Sequence, residues 1–418
     1  MSSSRATASR SDSGLTKLPI PSRTGALLNS AYDADPASWW KEFMLSEDFV
    51  SAASCDSRKV RVLDLFSSVG GLSLGSRVAA ELLGLQCLHE GAVDTDVDAL
   101  RIHEANFRTK FTIAESVRDL VDFRTTVDTP NRSPKLRFAN MIGAGESLGN
   151  IDLLVGGPPC QGHSTLNNKT RSDDPKNQLM LTMPAIAVAL GINSVVIENV
   201  PNVVNDSKRV VQTTADLFAS HGYHVQSGVI SATDLGWPQT RRRFFMVARR
   251  DQMPIDFGDV VDALKFKQQP LSWIIGDLLK QEKHLSGIFN TVPQLNDDNL
   301  RRISWLFDND EYDLPNHERP NCHQNGHTYP ATYGRMRWDK PAPTITGGFQ
   351  TPGRGRFIHP KRRRVLTPHE AARVQGFPDF FDFITPLGDR LSRSYLSKWV
   401  GDAVPSILGT AAVVSALG

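Results

Sequence analysis

Cysteine is scarce in this chain: four residues, Cys55, Cys87, Cys160 and Cys322, are spread over 418 positions. Thiols so few and so scattered make no disulfide framework, which points to a reduced, intracellular setting. Long apolar stretches are missing as well. No run of about 18 consecutive apolar residues occurs, so the sequence offers no bilayer-spanning helix. One-sided charge is also absent. Forty-seven Lys and Arg face 45 Asp and Glu, for a net charge of +2, which excludes a polybasic tail protein and an acidic disordered one. Nucleic-acid binding stays open, because it needs only a local basic surface. What is present is enough chain for one large domain, or two modest ones, around a substantial core.

Residues 1–58 read as an N-terminal extension. Its start, MSSSRATASRSDSG, is rich in Ser and Arg and nearly free of apolar side chains. That composition suits a disordered leader or an organelle transit peptide. The segment Ser38 to Ser54 then has helical apolar spacing and an adjacent Trp pair, which predicts a helix packed on the main domain. From Lys59 to Arg250, short Val-, Leu- and Ile-rich runs alternate with amphipathic stretches. Strands are expected at 60–66, 151–157, 194–200 and 242–248. The alternation predicts an α/β fold, a doubly wound, mostly parallel sheet with helices on both faces and ligand sites at the strand carboxyl ends. After Arg250 the alternation fades, and 251–334 is expected to form a smaller, irregular domain. Residues 335–418 return to the first domain through PAPTITGG and LTPHEAARVQGF. The latter opens with a capping signal, Thr367-Pro368 followed by Glu370.

Four motifs fall at predicted strand ends. LDLFSSVGGLSLG, Leu63 to Gly75, is a Gly-rich strand-to-helix turn that lets a ligand approach backbone closely, though it is not GxGxxG. One unit later Asp94 stands at a second strand end, where a carboxylate suits a ribose hydroxyl pair, while Asp96 suits a helix N-cap. GGPPCQGHS holds Cys160 on a rigid turn, a setting that can stabilise a thiolate. In IENVP, Glu198 follows three apolar residues, Val195, Val196 and Ile197. Burial there raises a carboxyl pKa, which suits a proton donor near neutrality. QTRRRFFMVARR places Arg241 and Arg243 on one strand face and Arg242 on the other, an arrangement suited to a planar or anionic group.

Cys160, Glu198 and the Gln239-x-Arg241-x-Arg243 array, in this order, resemble the C5-cytosine DNA methyltransferases. The resemblance spans about Val60 to Gly409 and includes DLFSSVGGLSLG, GGPPCQ, ENV, QTRRR, KPAPTIT, LTPHEAARVQGFPD and GDAVP. It implies a Rossmann-like domain that transfers a methyl group from S-adenosylmethionine to C5 of a flipped-out cytosine. The target would be a short specific sequence in double-stranded DNA. Cys160 would attack C6, Glu198 would hold and protonate N3, and Arg243 with Arg241 would hold the base or the attacking groups. Phe66, Gly70, Gly71, Leu72, Asp94, Thr95, Ser116, Pro158, Asp402 and Ala403 would line the cofactor site. Gln161, Ser164, Arg354 and Arg356 would meet DNA, and the basic run from Lys361 to Arg364 would meet phosphate. The region 251–334 would be the target-recognition domain. The resemblance also implies a cytoplasmic, nucleoid-associated monomer, with a cognate restriction endonuclease as an outside partner.

Three positions depart from the family pattern. Ser116 stands where an Asp near the adenine is usual, Asp402 replaces the usual Asn, and His163 replaces an aromatic residue. His317, Cys322, His323 and His327 fit no common zinc spacing, and no metal is expected. Two other readings compete. An RNA (tRNA) cytosine-5 methyltransferase would share the chemistry, but the usual Cys-Phe-Thr motif is missing. A catalytically silent DNA-binding relative would be expected to have lost Cys160, Glu198 or the arginines.

Overall fold

The computed structural model describes residues 28, 30–122, 135–136, 150–159, 179–281, 287–324 and 331–418. Its centre is a seven-stranded sheet built from β1 (Lys59–Leu65), β2 (Gln86–Val93), β3 (Phe111–Ile113), β4 (Leu153–Gly156), β5 (Ser194–Asn199), β6 (His224–Ser231) and β7 (Arg242–Arg249). The order across the sheet is β3-β2-β1-β4-β5-β7-β6. The strands from β3 to β5 are parallel. β7 pairs antiparallel with both β5 and β6, so the sheet is mostly parallel with a reversed edge.

Alternation along the strands sorts side chains into two cores. Val60, Val62, Leu153, Val155, Val196, Phe245 and Val247 face one layer. Leu63, Leu65, Leu154, Val195, Ile197, Phe244 and Met246 face the other. Helices α2 (Gly71–Leu82) and α11 (Ser406–Leu417) cover the first face, and α4 (Thr182–Leu190) with α5 (Val210–Ser220) covers the second.

The α2–α11 contact is close enough to bring backbones together. A Cβ added at Gly75 would lie 2.7 Å from the Gly409 carbonyl carbon and 2.8 Å from Thr410 N. Thr410 Oγ1 donates to Gly75 O at 3.3 Å. Gly75→Ala should therefore force the helices apart and cost about 1–3 kcal/mol, the usual range for overpacking. A lowered urea midpoint at unchanged slope checks this. Among the described residues, the stretch Arg393–Leu417 is long and apolar enough to cross a bilayer, with mean hydropathy 1.5, but most of it is buried inside the domain. It is broken into α10 (Arg393–Asp402) and α11 at Ala403–Pro405.

The N-terminal helix expected near the Trp pair is α1 (Pro36–Leu45), capped by Asp35, whose side chain accepts from Ser38 N at 3.1 Å. Trp40 is buried against Trp237, with ring centroids 5.4 Å apart. Trp237 Nε1 in turn donates to Val374 O at 2.8 Å, so the turn before β7 that receives the extension is tied to residue 374 as well.

Residues 251–281 belong to the main core. Helices α6 (Phe257–Leu264) and α7 (Leu271–Ile275) bury Val260, Leu264, Leu271, Ile274 and Ile275 in the first layer. A separate small cluster forms later, where α8 (Asp297–Asp308) supplies Ile303 and Leu306 to pack with Leu314 and Ile358. Helix α9 (Pro368–Val374) has the full capping box: Glu370 N donates to Thr367 Oγ1 and Thr367 N donates to Glu370 Oε2.

Candidate active site

The strand order turns back between β1 and β4, and in doubly wound sheets ligands bind at such a crevice. A cavity of about 1010 Å³ opens there at the strand carboxyl ends. Of the residues marked in the sequence, it gathers Phe66, Asp94, Thr95, Ser116, Pro158, Glu198, Arg241, Arg243, Arg354 and Asp402.

The first wall follows β1. Phe66 and Ser68 have positive φ (57° and 46°), and Gly70 at φ 98° starts α2. Only glycine is comfortable there, because a Cβ would lie 2.9 Å from His103 and closer still to Phe107. Gly70, Gly71 and Leu72 are buried at the start of α2 and are not among the residues that line the cavity. His103 itself is fully buried, bonded to Ser73 Oγ at 2.9 Å and to Thr109 Oγ1 at 2.9 Å, while Ser73 donates to Asp64 at 2.7 Å. This network holds the start of α2 against α3 (Val97–Phe107).

Asp94 follows β2 and accepts from Ser68 N at 2.8 Å and from Asp96 N at 2.9 Å. Burial raises its carboxyl above the ordinary value, with these bonds and Lys398 opposing. Asp96 is the N-cap of α3, as its position predicts. It accepts from Ala99 N at 3.1 Å and from Trp399 Nε1 at 2.8 Å. Ser116 lines the cavity with no capping bond of its own, and Glu115 stands beside it in the same wall.

Glu198 ends β5 and is only 8% exposed. Arg243 Nε donates to its Oε1 at 2.7 Å. Burial pushes the Glu198 carboxyl above its ordinary range, and Arg243 and then Arg241 pull it back only in part. Asn199 Nδ2 donates to Pro158 O at 3.3 Å, fixing the end of β4 against β5. Cys160, Gln161, His163 and Ser164 lie outside the described residues.

Arg241 and Arg243 share a face, as alternation requires, yet their surroundings differ. Arg241 is 2% exposed and spends its guanidinium on backbone. Its Nη1 donates to Ile345 O at 2.6 Å and Gly401 O at 3.0 Å, and its Nη2 reaches Asp402 O at 3.4 Å. Gly401 and Asp402 supply the last carbonyls of α10, an end that favours cations. Asp402 is half-exposed on the cavity wall, and Ala403 is buried behind it.

The basic residues marked for DNA divide. Arg354 is exposed on the cavity rim. Arg356 turns inward, donating to Tyr312 O at 2.9 Å and Arg335 O at 3.0 Å and pairing with Asp313. In the run after it, Lys361 is exposed, Arg363 pairs with Asp308 at 2.6 Å, and Arg364 grips both oxygens of Glu370 at 2.8 Å. All three arginines of that run are thus engaged within the protein, Arg362 donating to Leu279 O at 3.3 Å. The cavity also includes Ser68, Glu115, Leu179, Thr346, Gly347, Gly348 and Lys398, which the sequence reading does not single out. The TITGG motif was the available signal for three of them.

A doubly wound sheet with a partly apolar cavity at its switch point, and a buried Glu–Arg pair inside it, is the arrangement of a Rossmann-like enzyme. Residues 60–413 match the C-5 cytosine-specific DNA methylase family, and the chain belongs to that family. Type II methyltransferase M1.BsuMI of Bacillus subtilis (strain 168) is 36% identical over 401 residues, covering 96% of this chain and 89% of the relative. Type II methylase M.HgiDII of Herpetosiphon aurantiacus is 30% identical over 360 residues, covering 83% and 92%. The fold is also that of the S. pombe Dnmt2 methyltransferase, with TM-score 0.52 and 16% identity over 86% of this chain and 98% of that one. The protein is a DNA cytosine-5 methyltransferase similar to those of type II restriction–modification systems.

Proposed function

We infer that this enzyme transfers a methyl group from S-adenosylmethionine to C5 of a cytosine flipped out of a short specific duplex sequence. The observation that carries the reading is Glu198, buried at the end of β5 and bonded to Arg243 at 2.7 Å, in the same cavity as Asp94. The donor set fits the cofactor. Asp94 offers acceptors to a ribose diol, beside the apolar surfaces of Phe66, Val117, Pro158 and Leu179. Glu115 and Ser116 stand where the adenine amino group would be read, in place of the family's usual Asp. S-adenosylmethionine, when bound, supplies an electrophilic methyl on a sulfonium.

The chain's residues do the rest. Cys160 as thiolate forms a bond to C6, and the displaced electron pair moves through the ring to N3, where Glu198 delivers a proton. C5 becomes nucleophilic and accepts the methyl. The C5 proton then leaves to solvent, its electron pair breaks the C6–S bond, and the N3 proton returns to Glu198. Arg243 keeps the Glu198 carboxyl aimed at the base. None of this can occur within a stacked duplex, hence the flipped base. Arg354 is proposed to contact phosphate, as are Gln161 and Ser164 beyond the described residues. Of the region 251–334, the part beyond the core helices α6 and α7 is proposed to read the target. A cytoplasmic monomer with a companion restriction endonuclease completes the reading.

Incubation with methyl-labelled S-adenosylmethionine and either unmethylated genomic DNA or tRNA tests it, with conversion sequencing of the product. Label at one short DNA motif is expected. Label on tRNA alone would replace DNA as the substrate, and a duplex in which no cytosine is labelled would overturn the proposal.

A further inference from the structure

We propose that Lys398 is a specificity residue of the cofactor site, binding the carboxylate of the cofactor's amino-acid tail. The inference rests on the reading of the cavity as an S-adenosylmethionine site and adds a contact to it.

The cavity is ringed by four carboxylates, Asp94, Glu115, Glu198 and Asp402. A nucleoside with an amino-acid tail brings one more, and an acidic wall repels it unless a cation is placed for it. Among the described residues four cations line the same space: Arg241, Arg243, Arg354 and Lys398. Arg241 is committed to the carbonyls of Ile345 and Gly401, and Arg243 to Glu198. Two remain. Arg354 rises from the turn after Gly348, whose added Cβ would lie 2.9 Å from Arg354 Cδ, on the exposed rim. Lys398, also exposed, lines the cavity close enough to Asp94 for its charge to act on that carboxyl.

Its place is fixed from both sides. Ser397 Oγ donates to Gln350 at 2.8 Å, and Trp399 Nε1 donates to Asp96 at 2.8 Å, two residues beyond Asp94. Helix α10 is thus held against the β2 end with Lys398 turned to the cavity. The Lys398 ammonium lies 3.5 Å from Asp402, one helical turn on, and both side chains are more than half exposed. An exposed pair of this kind is weak, so the ammonium is aimed without being quenched. Its charge also opposes the burial that raises the Asp94 carboxyl. Lys398 thus lies within electrostatic reach of both Asp94, the group placed for the ribose, and Asp402 at the end of α10, and is the cation to which a tail leaving that ribose is assigned.

Titration calorimetry on the full chain tests this with two probes. S-adenosylhomocysteine carries the tail, and 5′-methylthioadenosine keeps the nucleoside but lacks it. Lys398→Met should weaken S-adenosylhomocysteine about five- to tenfold, the scale of one lost ion pair, and leave methylthioadenosine within about twofold. Lys398→Arg should restore most of the loss. Arg354→Met should leave both probes unchanged and weaken duplex DNA. Equal losses on both probes, no loss on either, or a tail-specific loss in Arg354→Met would overturn the assignment. Should the wild-type chain bind neither probe, the reading of the cavity fails first, and this inference with it.

Discussion

Glu198→Gln should lower the single-turnover rate of methyl transfer by about 10²–10⁴-fold, the span of a lost general acid. The substitution keeps size and one hydrogen-bonding oxygen, but an amide cannot deliver a proton to N3. Arg243 can still donate to the remaining oxygen, so the pocket keeps its shape and S-adenosylhomocysteine affinity should stay within about twofold of wild type. Rapid-quench measurement with labelled cofactor separates the two quantities. The pH dependence gives a second reading. Burial holds the Glu198 carboxyl above its ordinary value, with Arg243 and Arg241 opposing. As a general acid it must be protonated, so the wild-type rate should fall as pH rises through that elevated pKa. The opposite limb belongs to Cys160, whose thiolate fraction grows with pH. In Glu198→Gln the falling limb should vanish while the rising limb stays. A variant that loses rate but keeps both limbs would move the acid role to another group.

The parts of this site that could be read from sequence are those whose cause is local. β1, β4, β5 and β7 are apolar runs, and each strand lies within about two residues of its expectation. The Asp96 cap and the Thr367–Glu370 capping box need only neighbours three residues apart. The sequence reading missed β6 because, at the sheet edge, its exposed and half-buried positions hide any apolar run. The reversed direction of β7 was also hidden, since periodicity marks a strand but not its sense. The same limit applies to charge. The run from Lys361 to Arg364 looks like a phosphate-binding patch until Asp308 and Glu370, from other elements, take up two of its arginines. Lys398 escaped notice for the converse reason. Its spacing from Asp402 is visible, but the cavity it faces is assembled from β2 and α10, some three hundred residues apart along the chain.

Arg241 and Arg243, on the same face of QTRRR, have identical sequence credentials, and they should separate when mutated. Arg241→Leu should cost roughly 3–5 kcal/mol, because it leaves the carbonyls of Ile345, Gly401 and Asp402 buried without their donor. Arg241→Lys should recover little, since a single ammonium cannot span three acceptors that the planar fork reaches at once. Arg243→Lys is a different case. Its side chain is 14% exposed and bonded to Glu198 through Nε, an atom that lysine lacks. Stability should change by less than about 1 kcal/mol, while methyl transfer falls by about tenfold or more as Glu198 loses its aim. Urea unfolding and single-turnover rates on the three variants test the contrast. Because Arg241 also fixes the end of α10, Arg241→Lys should weaken S-adenosylhomocysteine binding where Arg243→Lys does not. If Arg241→Leu instead keeps wild-type stability and loses only rate, the guanidinium belongs to the chemistry, and the carbonyls of α10 are held by something else.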